Sequence, residues 1–160
     1  MIAVIGCGNL NRSDDGAGPE LIGALRSRGL EAYGARLLDA GTDGMAAMFA
    51  ARGCGSLIIV DACQSGSAPG AIFEVPGEAL EQRYQPSLNL HDFRWDHALF
   101  AGKKIFREEF PSDVIVLLIE AQTVGLGIGL SPPVAAAVVT VADRIERLIQ
   151  LRAAVPQAIS

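Results

Sequence analysis

The apolar run from Leu57 to Val60 constrains the fold most, because it has no polar face. A half-buried strand alternates apolar and polar side chains, whereas a central strand of a parallel sheet is covered by helices on both sides and reads as a continuous apolar run. Similar short runs recur along the chain and alternate with segments of helical periodicity. This alternation is typical of an α/β domain.

The sequence predicts a three-layer α/β fold, in which a twisted, mostly parallel five-stranded sheet carries helices on both faces. The connection to the fourth strand is too short for a crossover helix, so that strand is expected to be antiparallel or at an edge. The predicted strands are Met1–Ile5, Glu31–Leu38, Leu57–Val60, Ala71–Val75 and Asp113–Ile119. The predicted helices cover residues 19–28, 45–51, 78–83, 93–106 and 132–151, with Asp43 and Ser131 as N-caps of the second and the last.

Length and composition fit one domain with a real core, since the chain has 160 residues of which half are hydrophobic. We expect a single domain over residues 1–152 and a frayed tail over 153–160. No apolar stretch approaches the roughly 20 residues that a membrane span requires. The chain begins with a strand rather than a signal peptide, so no membrane partner is expected.

The net charge indicates whether the chain binds nucleic acid, and the cysteine content indicates the compartment in which it works. The net charge of −5 argues against a dedicated nucleic-acid binder. Cys7, Cys54 and Cys63 form no CxxC pair, and an odd count without a secretory signal predicts reduced thiols in the cytoplasm. Each cysteine is more simply a small buried apolar residue than a nucleophile.

Glycines at positions 6, 8, 16 and 18 follow the first strand. A dinucleotide-binding fingerprint would need GxGxxG opening directly into a helix, and the third glycine is missing here. No Lys-Ser or Lys-Thr pair follows to complete a phosphate-binding P-loop. We therefore expect no nucleotide cofactor, with a nucleotide-binding α/β domain kept as an alternative.

Polar residues stand where strands are predicted to end. Asp14 and Asp15 follow the first strand, Asp61 follows the third, and His91 precedes a helix. Ligands of open α/β sheets bind beyond the carboxyl ends of the strands, and two carboxylates with an imidazole suit a divalent metal. Of the adjacent pair we expect one to cap or accept structural hydrogen bonds and the other to face the cleft. For Asp61, a solvated strand end in an Asx turn is the alternative.

Three further residues are weaker candidates. Asp39 and Glu120 also end predicted strands and could line the same cleft, and the Gly-Thr-Asp-Gly loop after Asp39 could offer backbone N–H groups to a peptide carbonyl. His97 lies almost two helical turns beyond His91 and on another face. It is therefore expected to pack or face solvent instead of sharing a metal with His91.

Several motifs, in this order and spacing, resemble the hydrogenase maturation endopeptidases along nearly the whole chain. They are Gly8-Asn9, Asp14-Asp15-Gly16-Ala17-Gly18-Pro19, Asp39-Ala40-Gly41-Thr42-Asp43-Gly44, Val60-Asp61-Ala62 with Pro69-Gly70, Leu90-His91-Asp92 and Gly129-Leu130-Ser131. Enzymes of that family remove a C-terminal extension from the precursor of the large subunit of nickel–iron hydrogenase.

The resemblance implies a site, a metal and a partner. Asp15, Asp61 and His91 match the family's metal-contacting residues and are the expected catalytic and metal-binding residues. The implied metal is nickel, supplied by the partner, which is the hydrogenase large-subunit precursor. Asp15 departs from the Glu that many members carry there, and Asn11 from their usual apolar residue. A non-proteolytic, metal-sensing chaperone for the same precursor is the alternative function, and the oligomeric state is left open.

Overall fold

The computed structural model describes residues 1–81 and 95–154. Within these ranges the elements, in chain order, are β1 (Ile2–Cys7), α1 (Ala17–Ser27), β2 (Ala35–Gly41), α2 (Gly44–Ala51), β3 (Ser56–Cys63), β4 (Ile72–Pro76), α3 (Gly77–Glu81), α4 (Trp95–Phe106), β5 (Asp113–Glu120) and α5 (Pro132–Ala154). The strands form one sheet in the order β2-β1-β3-β5-β4. Only the pairing of β4 with β5 is antiparallel among these strands, and β4 lies at the edge. The predicted fold class is confirmed.

The central strands contribute side chains to two hydrophobic cores, because successive side chains of a strand point to opposite faces of the sheet. Val4 and Ile58 pack with α1 and α5 on one face of the sheet. Ile5 and Ile59 pack with α2 and α4 on the other. Helices therefore cover both faces of β3, which explains why its sequence has no polar side.

The strand order reverses between β1 and β3, and such a switch point opens a crevice at the carboxyl ends of the strands. β1 pairs with β3 from Ile2 opposite Ser56 to Gly6 opposite Val60. β3 then continues along β5, with Asp61 opposite Leu118. Asp61 is thus the first residue of β3 beyond its pairing with β1, directly beside the opening.

Two of the early glycines let α1 pack closely on the sheet. A Cβ atom at Gly6 would lie 2.3 Å from the carbonyl oxygen of Gly18, and one at Gly18 would lie 2.3 Å from the carbonyl oxygen of Cys7. Both distances are far too short for any side chain. These two glycines therefore have a packing role at the contact between helix and strand.

The predicted second strand begins too early. Residues Leu30–Tyr33 form a single 3-10 turn, and β2 starts at Ala35. Gly29 and Gly34 flank the turn with φ angles of 70° and 81°, a left-handed conformation that glycine adopts without steric cost. Leu30 is buried in the core shared with α5. Glu31, Ala32 and Tyr33 of this turn were therefore wrongly assigned to the strand.

The third strand is longer than predicted, since it runs to Cys63 instead of stopping at Val60. Its last three residues have no β1 partner but pair with β5, which keeps the extended conformation. Asp61 therefore lies inside a strand, one position past the predicted end.

Most other boundaries agree with the sequence within a few residues. Asp43 is the N-cap of α2, and its side chain accepts a hydrogen bond from the Ala46 N–H at 3.0 Å. α5 continues through Ala154, into the tail predicted to fray, while residues 155–160, 82–83 and 93–94 lie outside the described ranges. The domain boundary stays a prediction. None of the described helices is long and apolar enough to cross a membrane.

Candidate active site

A cavity of about 700 Å³ opens at the carboxyl ends of β1 and β3. Its walls come from the loop after β1, the loop at residues 41–44, the end of β3 and the first residue of α4. Asp15 and Asp61 both line it. The fold therefore brings these two carboxylates from separate parts of the chain to one cavity, while their catalytic and metal-binding roles stay predictions.

Asp15 is held by a 3-10 turn, Ser13–Gly16, that joins β1 to α1. The loop after β1 lies against this turn so closely that a Cβ atom at Gly8 would be 1.8 Å from the carbonyl oxygen of Asp15. The Asn9 N–H donates to Oδ2 of Asp15 at 2.9 Å. The side chain is half-buried, so one oxygen is fixed by the backbone while the carboxylate borders the cavity.

Asp14 has the opposite environment, with a fully buried side chain. The N–H of Ser131 donates to Oδ1 at 2.7 Å, and the Ser131 hydroxyl donates to Oδ2 at 2.8 Å. The N–H groups of Gln122 and Thr123 also donate to Oδ2, at 2.8 and 3.2 Å. Burial raises the pKa of this carboxyl, but these hydrogen bonds outweigh it and hold the pKa below its usual value.

The adjacent acids are therefore divided as expected, one accepting structural hydrogen bonds and one bordering the cleft. The residue types alone left the assignment within the pair open, and the family resemblance implied that Asp15 is the acid that faces the cleft. Asp14 does not cap its own helix but links the 3-10 turn to the start of α5. Ser131 precedes α5, as an N-cap would, yet its hydroxyl is directed to Asp14.

Asp61 is also almost fully buried, with 4% of its surface exposed. The Ala62 N–H donates to Oδ1 at 2.8 Å, and the indole N–H of Trp95 donates to Oδ2 at 2.7 Å. A buried carboxylate without such donors would be costly. The alternative of a solvated strand-end Asp is therefore wrong.

Trp95 is the site residue that sequence reasoning missed, since we assigned it only to the predicted helix 93–106. It lines the cavity and is the first residue of α4. A signal did exist: a carboxylate predicted at the end of an apolar strand needs a donor, and tryptophan brings an N–H into apolar surroundings.

The other predicted residues contribute less to what the structure shows of the cavity. His91 lies outside the described residues, and His97 is half-buried on α4. Asp39 is exposed and accepts the Gly41 N–H at 2.9 Å, while the loop that follows it does line the cavity. Residues 1–81 and 95–154 hold no cluster of three or more His, Cys, Asp or Glu side chains suited to a metal ion.

Glu120, at the end of β5, was a weaker candidate for the same cleft and is not among the residues that line the cavity. Its carboxylate accepts hydrogen bonds from the Ser65 hydroxyl at 2.7 Å and from the N–H groups of Ser65 and Gly66. The Ser65 hydroxyl above all, with the Cys63 thiol and the N–H groups, lowers the pKa of Glu120 against the opposing effect of burial. Glu120 thus fixes the loop that follows β3.

The Cys63 thiol lines the cavity and donates to Oε2 of Glu120 at 3.2 Å. Burial, followed by the nearby charges of Glu120 and Asp61, raises the pKa of Cys63 to about 12. A thiol with this pKa stays protonated at neutral pH, which disfavours a nucleophilic role. Cys7 and Cys54 are buried, as expected for small apolar residues.

A cavity at the switch point of a parallel sheet, with Asp15 and Asp61 among the acids on its walls, defines the class as an α/β enzyme whose site suits acid–base or metal-assisted chemistry. Residues 19–148 match the family model of the hydrogenase maturation proteases. The chain belongs to this family and is a peptidase of hydrogenase maturation, as its resemblance to these endopeptidases implied.

Individual relatives agree with this assignment. The chain is 29% identical over 136 residues to the hydrogenase 2 maturation protease of Escherichia coli K12, covering 84% of this chain and 82% of the relative. Among solved structures, the E. coli hydrogenase maturating endopeptidase HybD has a TM-score of 0.74 at 23% identity, covering 95% of this chain and 93% of HybD, which shows a shared fold. The solution structure of E. coli endopeptidase HycI has a TM-score of 0.71 at 26% identity, with 92% and 90% covered.

Proposed function

We propose that this peptidase removes the C-terminal extension of a nickel-loaded hydrogenase large-subunit precursor, and that Asp15, Asp61 and His91 contact the nickel. The observation that carries the proposal is the placement of Asp15 and Asp61 on the wall of one cavity. Nickel belongs to the substrate in this account. It serves as the recognition signal that tells the enzyme the precursor is ready to be cut.

The side chains of Asp15, Asp61 and His91 are chemically suited to contact nickel. Carboxylate oxygens and imidazole nitrogen are ligands that divalent first-row metals accept. Within the described ranges, Asp15 and Asp61 line the cavity, but no cluster of three or more His, Cys, Asp or Glu side chains is suited to hold a metal ion. A set this small suits a metal that arrives with ligands of its own from the precursor, and His91 would complete the contribution of this chain.

The site residues then position the peptide and move a proton. Nickel beside the scissile bond would supply Lewis acidity at the carbonyl. Asp15 and Asp61 hold that metal and therefore the segment that carries it, which lowers the entropic cost of reaction. One carboxylate accepts a proton from water as the water oxygen bonds to the carbonyl carbon. The C–N bond breaks, and the proton passes to the leaving amine.

The loop at residues 41–44 supports a peptide in the cavity. It lines the cavity and leads directly into α2. The first N–H groups of a helix have no carbonyl partner within that helix, and a capping side chain satisfies only some of them. The Gly41 carbonyl accepts the Gly8 N–H at 2.8 Å, which fixes this loop against the loop that carries Asp15. Backbone N–H groups here would bind a peptide carbonyl, as the sequence suggested.

A second loop suits docking of a protein. Val124 lines the cavity, and shortly after it Leu126 and Ile128 are 89% and 91% exposed. The backbone is nevertheless fixed, because the Ser13 N–H donates to the Gly127 carbonyl and the Gly127 N–H donates to the Asn11 carbonyl. Exposed aliphatic side chains on a fixed loop beside a cleft are expected at a protein contact. The precursor would dock here while its extension enters the cavity.

The test is incubation of the enzyme with nickel-loaded and nickel-free precursor, followed by mass spectrometry of the precursor. We expect the loaded precursor alone to lose the mass of its extension. Equal cleavage of both forms would contradict the role of nickel. Binding of the loaded precursor with its mass unchanged would instead support the metal-sensing chaperone.

A further inference from the structure

We propose that Trp95 is a positioning residue that fixes Asp61 for contact with the nickel of the precursor. The proposal rests on the proposed function, because it concerns how Asp61 meets that metal. It assigns a role to a residue of this chain that lies outside the three expected ligands.

The two oxygens of Asp61 are held by donors from different elements. Oδ1 accepts the N–H of Ala62, the next residue of β3, at 2.8 Å. Oδ2 accepts the indole N–H of Trp95, from the first residue of α4, at 2.7 Å. A bond to the adjacent N–H alone would let the carboxylate turn about its Cβ–Cγ bond. A second donor at the other oxygen, from a separate element, fixes the plane of the carboxylate.

Trp95 is itself well anchored. The ring is half-buried and packs against the hydrophobic core formed by α2, α4 and one face of the sheet. Ala98 and Leu99, one turn further along α4, are buried in that core. An indole has only two side-chain torsions, so packing of the ring leaves its N–H little freedom. The position of the donor is therefore set by the core.

The hydrogen bond from Trp95 leaves Asp61 able to bind a metal. A carboxylate oxygen has two lone pairs, so an oxygen that accepts one N–H can also bind a cation. Hydrogen bonds from residues behind a metal ligand orient the ligand, and their loss typically costs roughly 10- to 100-fold in metal affinity or activity. Trp95 and Asp61 line the same cavity, which places this arrangement where the precursor's metal would enter.

The experiment has a structural and a kinetic part. Trp95 is the only tryptophan of the chain, so its indole N–H gives a single resonance in a ¹⁵N-edited spectrum. In the wild type we expect slow exchange of that proton with solvent, and in Asp61→Ala a clear shift of the resonance with faster exchange. An unchanged resonance and exchange rate in Asp61→Ala would overturn the proposal.

The kinetic part uses Trp95→Phe, which keeps an aromatic ring and removes the N–H. We expect KM for the nickel-loaded precursor to rise roughly 10- to 100-fold, with a smaller change in kcat. The melting temperature should fall modestly, because Oδ2 of the buried Asp61 loses a donor. Phe106→Leu removes an aromatic ring from the other end of α4 and should leave KM unchanged. Wild-type KM in Trp95→Phe would overturn the proposal, as would an equal rise in Phe106→Leu.

The proposed function can fail separately. If the wild type cuts loaded and nickel-free precursor alike, nickel is not the signal. A lower kcat/KM of Trp95→Phe on both precursors would then still support positioning of Asp61 as a catalytic group, and an unchanged kcat/KM would overturn it.

Discussion

Asp61 and Glu120 stand near the carboxyl ends of neighbouring parallel strands, and both are almost fully buried, with 4% and 2% of their surface exposed. Glu120 accepts hydrogen bonds from a hydroxyl, a thiol and two N–H groups around one loop. Asp61 is fixed by Ala62 and Trp95 and also lines the cavity. Burial alone therefore does not distinguish Glu120 from Asp61, whereas access to the cavity does.

The adjacent acids of the first loop repeat this contrast at closer range. Asp14 is surrounded by four donor groups and holds α5 against the turn, while Asp15 accepts one N–H from Asn9 and borders the cavity. In both comparisons the acid with four donor groups lies outside the cavity and the other acid borders it, which is why we expect the activity to depend on Asp15 and Asp61.

The largest expected effect is the difference in kcat/KM between the variants Asp61→Asn and Glu120→Gln. Loss of a metal-contacting charge should lower kcat/KM for the loaded precursor on the order of 100- to 1000-fold, whereas Glu120→Gln should keep most of the activity. Both are to be assayed well below their melting temperatures, with precursor mass as the readout. Similar losses in the two variants would break the distinction drawn here.

Substitutions in the loop at residues 124–128, where the precursor is proposed to dock, should have the next largest effect on processing. The double variant Leu126→Ser with Ile128→Ser is expected to raise KM for the precursor roughly 10-fold, about 1.4 kcal/mol, with kcat unchanged. Val139→Ser is the matched control, since Val139 is a 55% exposed aliphatic residue on α5. Equal KM values in the double variant and the wild type would remove the loop from the docking surface.

The free energy of unfolding should fall more when Asp14 is replaced than when Asp15 is replaced. Asp14→Asn places an amide N–H₂ against N–H donors, and we expect a loss of about 1–3 kcal/mol in the free energy of unfolding. Asp15→Asn keeps an acceptor for the Asn9 N–H and should stay within roughly 0.5 kcal/mol. Urea denaturation measures both. A greater loss in Asp15→Asn would reverse their assignment.

The pH dependence of stability should reflect Glu120. A pKa lowered in the folded state stabilises the protein fully above the ordinary Glu value of about 4.3, and this contribution is lost as pH falls through the folded pKa. Melting temperatures of the wild type should therefore fall between about pH 5 and pH 3, and those of Glu120→Gln should fall less. Parallel curves for the two proteins would show that Glu120 has no such role.

Cys63→Ala should have the smallest effect. The Cys63 thiol has a pKa raised to about 12 and is neutral at pH 8, so it should react slowly with iodoacetamide. Processing by Cys63→Ala should stay within about threefold of the wild type, because no step uses a thiolate. Complete loss of processing in a folded Cys63→Ala variant would show that Cys63 takes part in the reaction.

The sequence predicted those parts of the fold that local constraints decide. The apolar run at residues 57–60 could only suit a strand covered on both faces, and the short connection before β4 excluded a parallel partner. The 3-10 turn at Leu30–Tyr33 was missed because the predicted strand ran through Gly34, whose left-handed conformation separates the turn from β2. The extension of β3 to Cys63 was missed because it depends on pairing with β5, more than 50 residues later.

The site was predicted in part for the same reason. Polar residues after apolar strands showed where the cavity would form, and the adjacent Asp pair suggested a division of roles. The family resemblance implied Asp15 as the acid facing the cleft, whereas the physical reason lies in the loop at residues 122–131, which provides the donors to Asp14. The hydrogen bond from Trp95 to Asp61 joins α4 to β3. The sequence indicated that Asp61 needs a donor, but the choice of Trp95 depends on how α4 packs on the sheet.

The central claim is that Asp15 and Asp61 act together on the nickel of the precursor. X-ray absorption at the nickel edge tests it directly, with loaded precursor measured alone and after rapid freezing with the wild-type enzyme. The account predicts additional oxygen or nitrogen neighbours around nickel in the complex, reduced when Asp15→Asn or Asp61→Asn replaces the wild type. An identical nickel spectrum with and without enzyme, under conditions where the extension is removed, would contradict it.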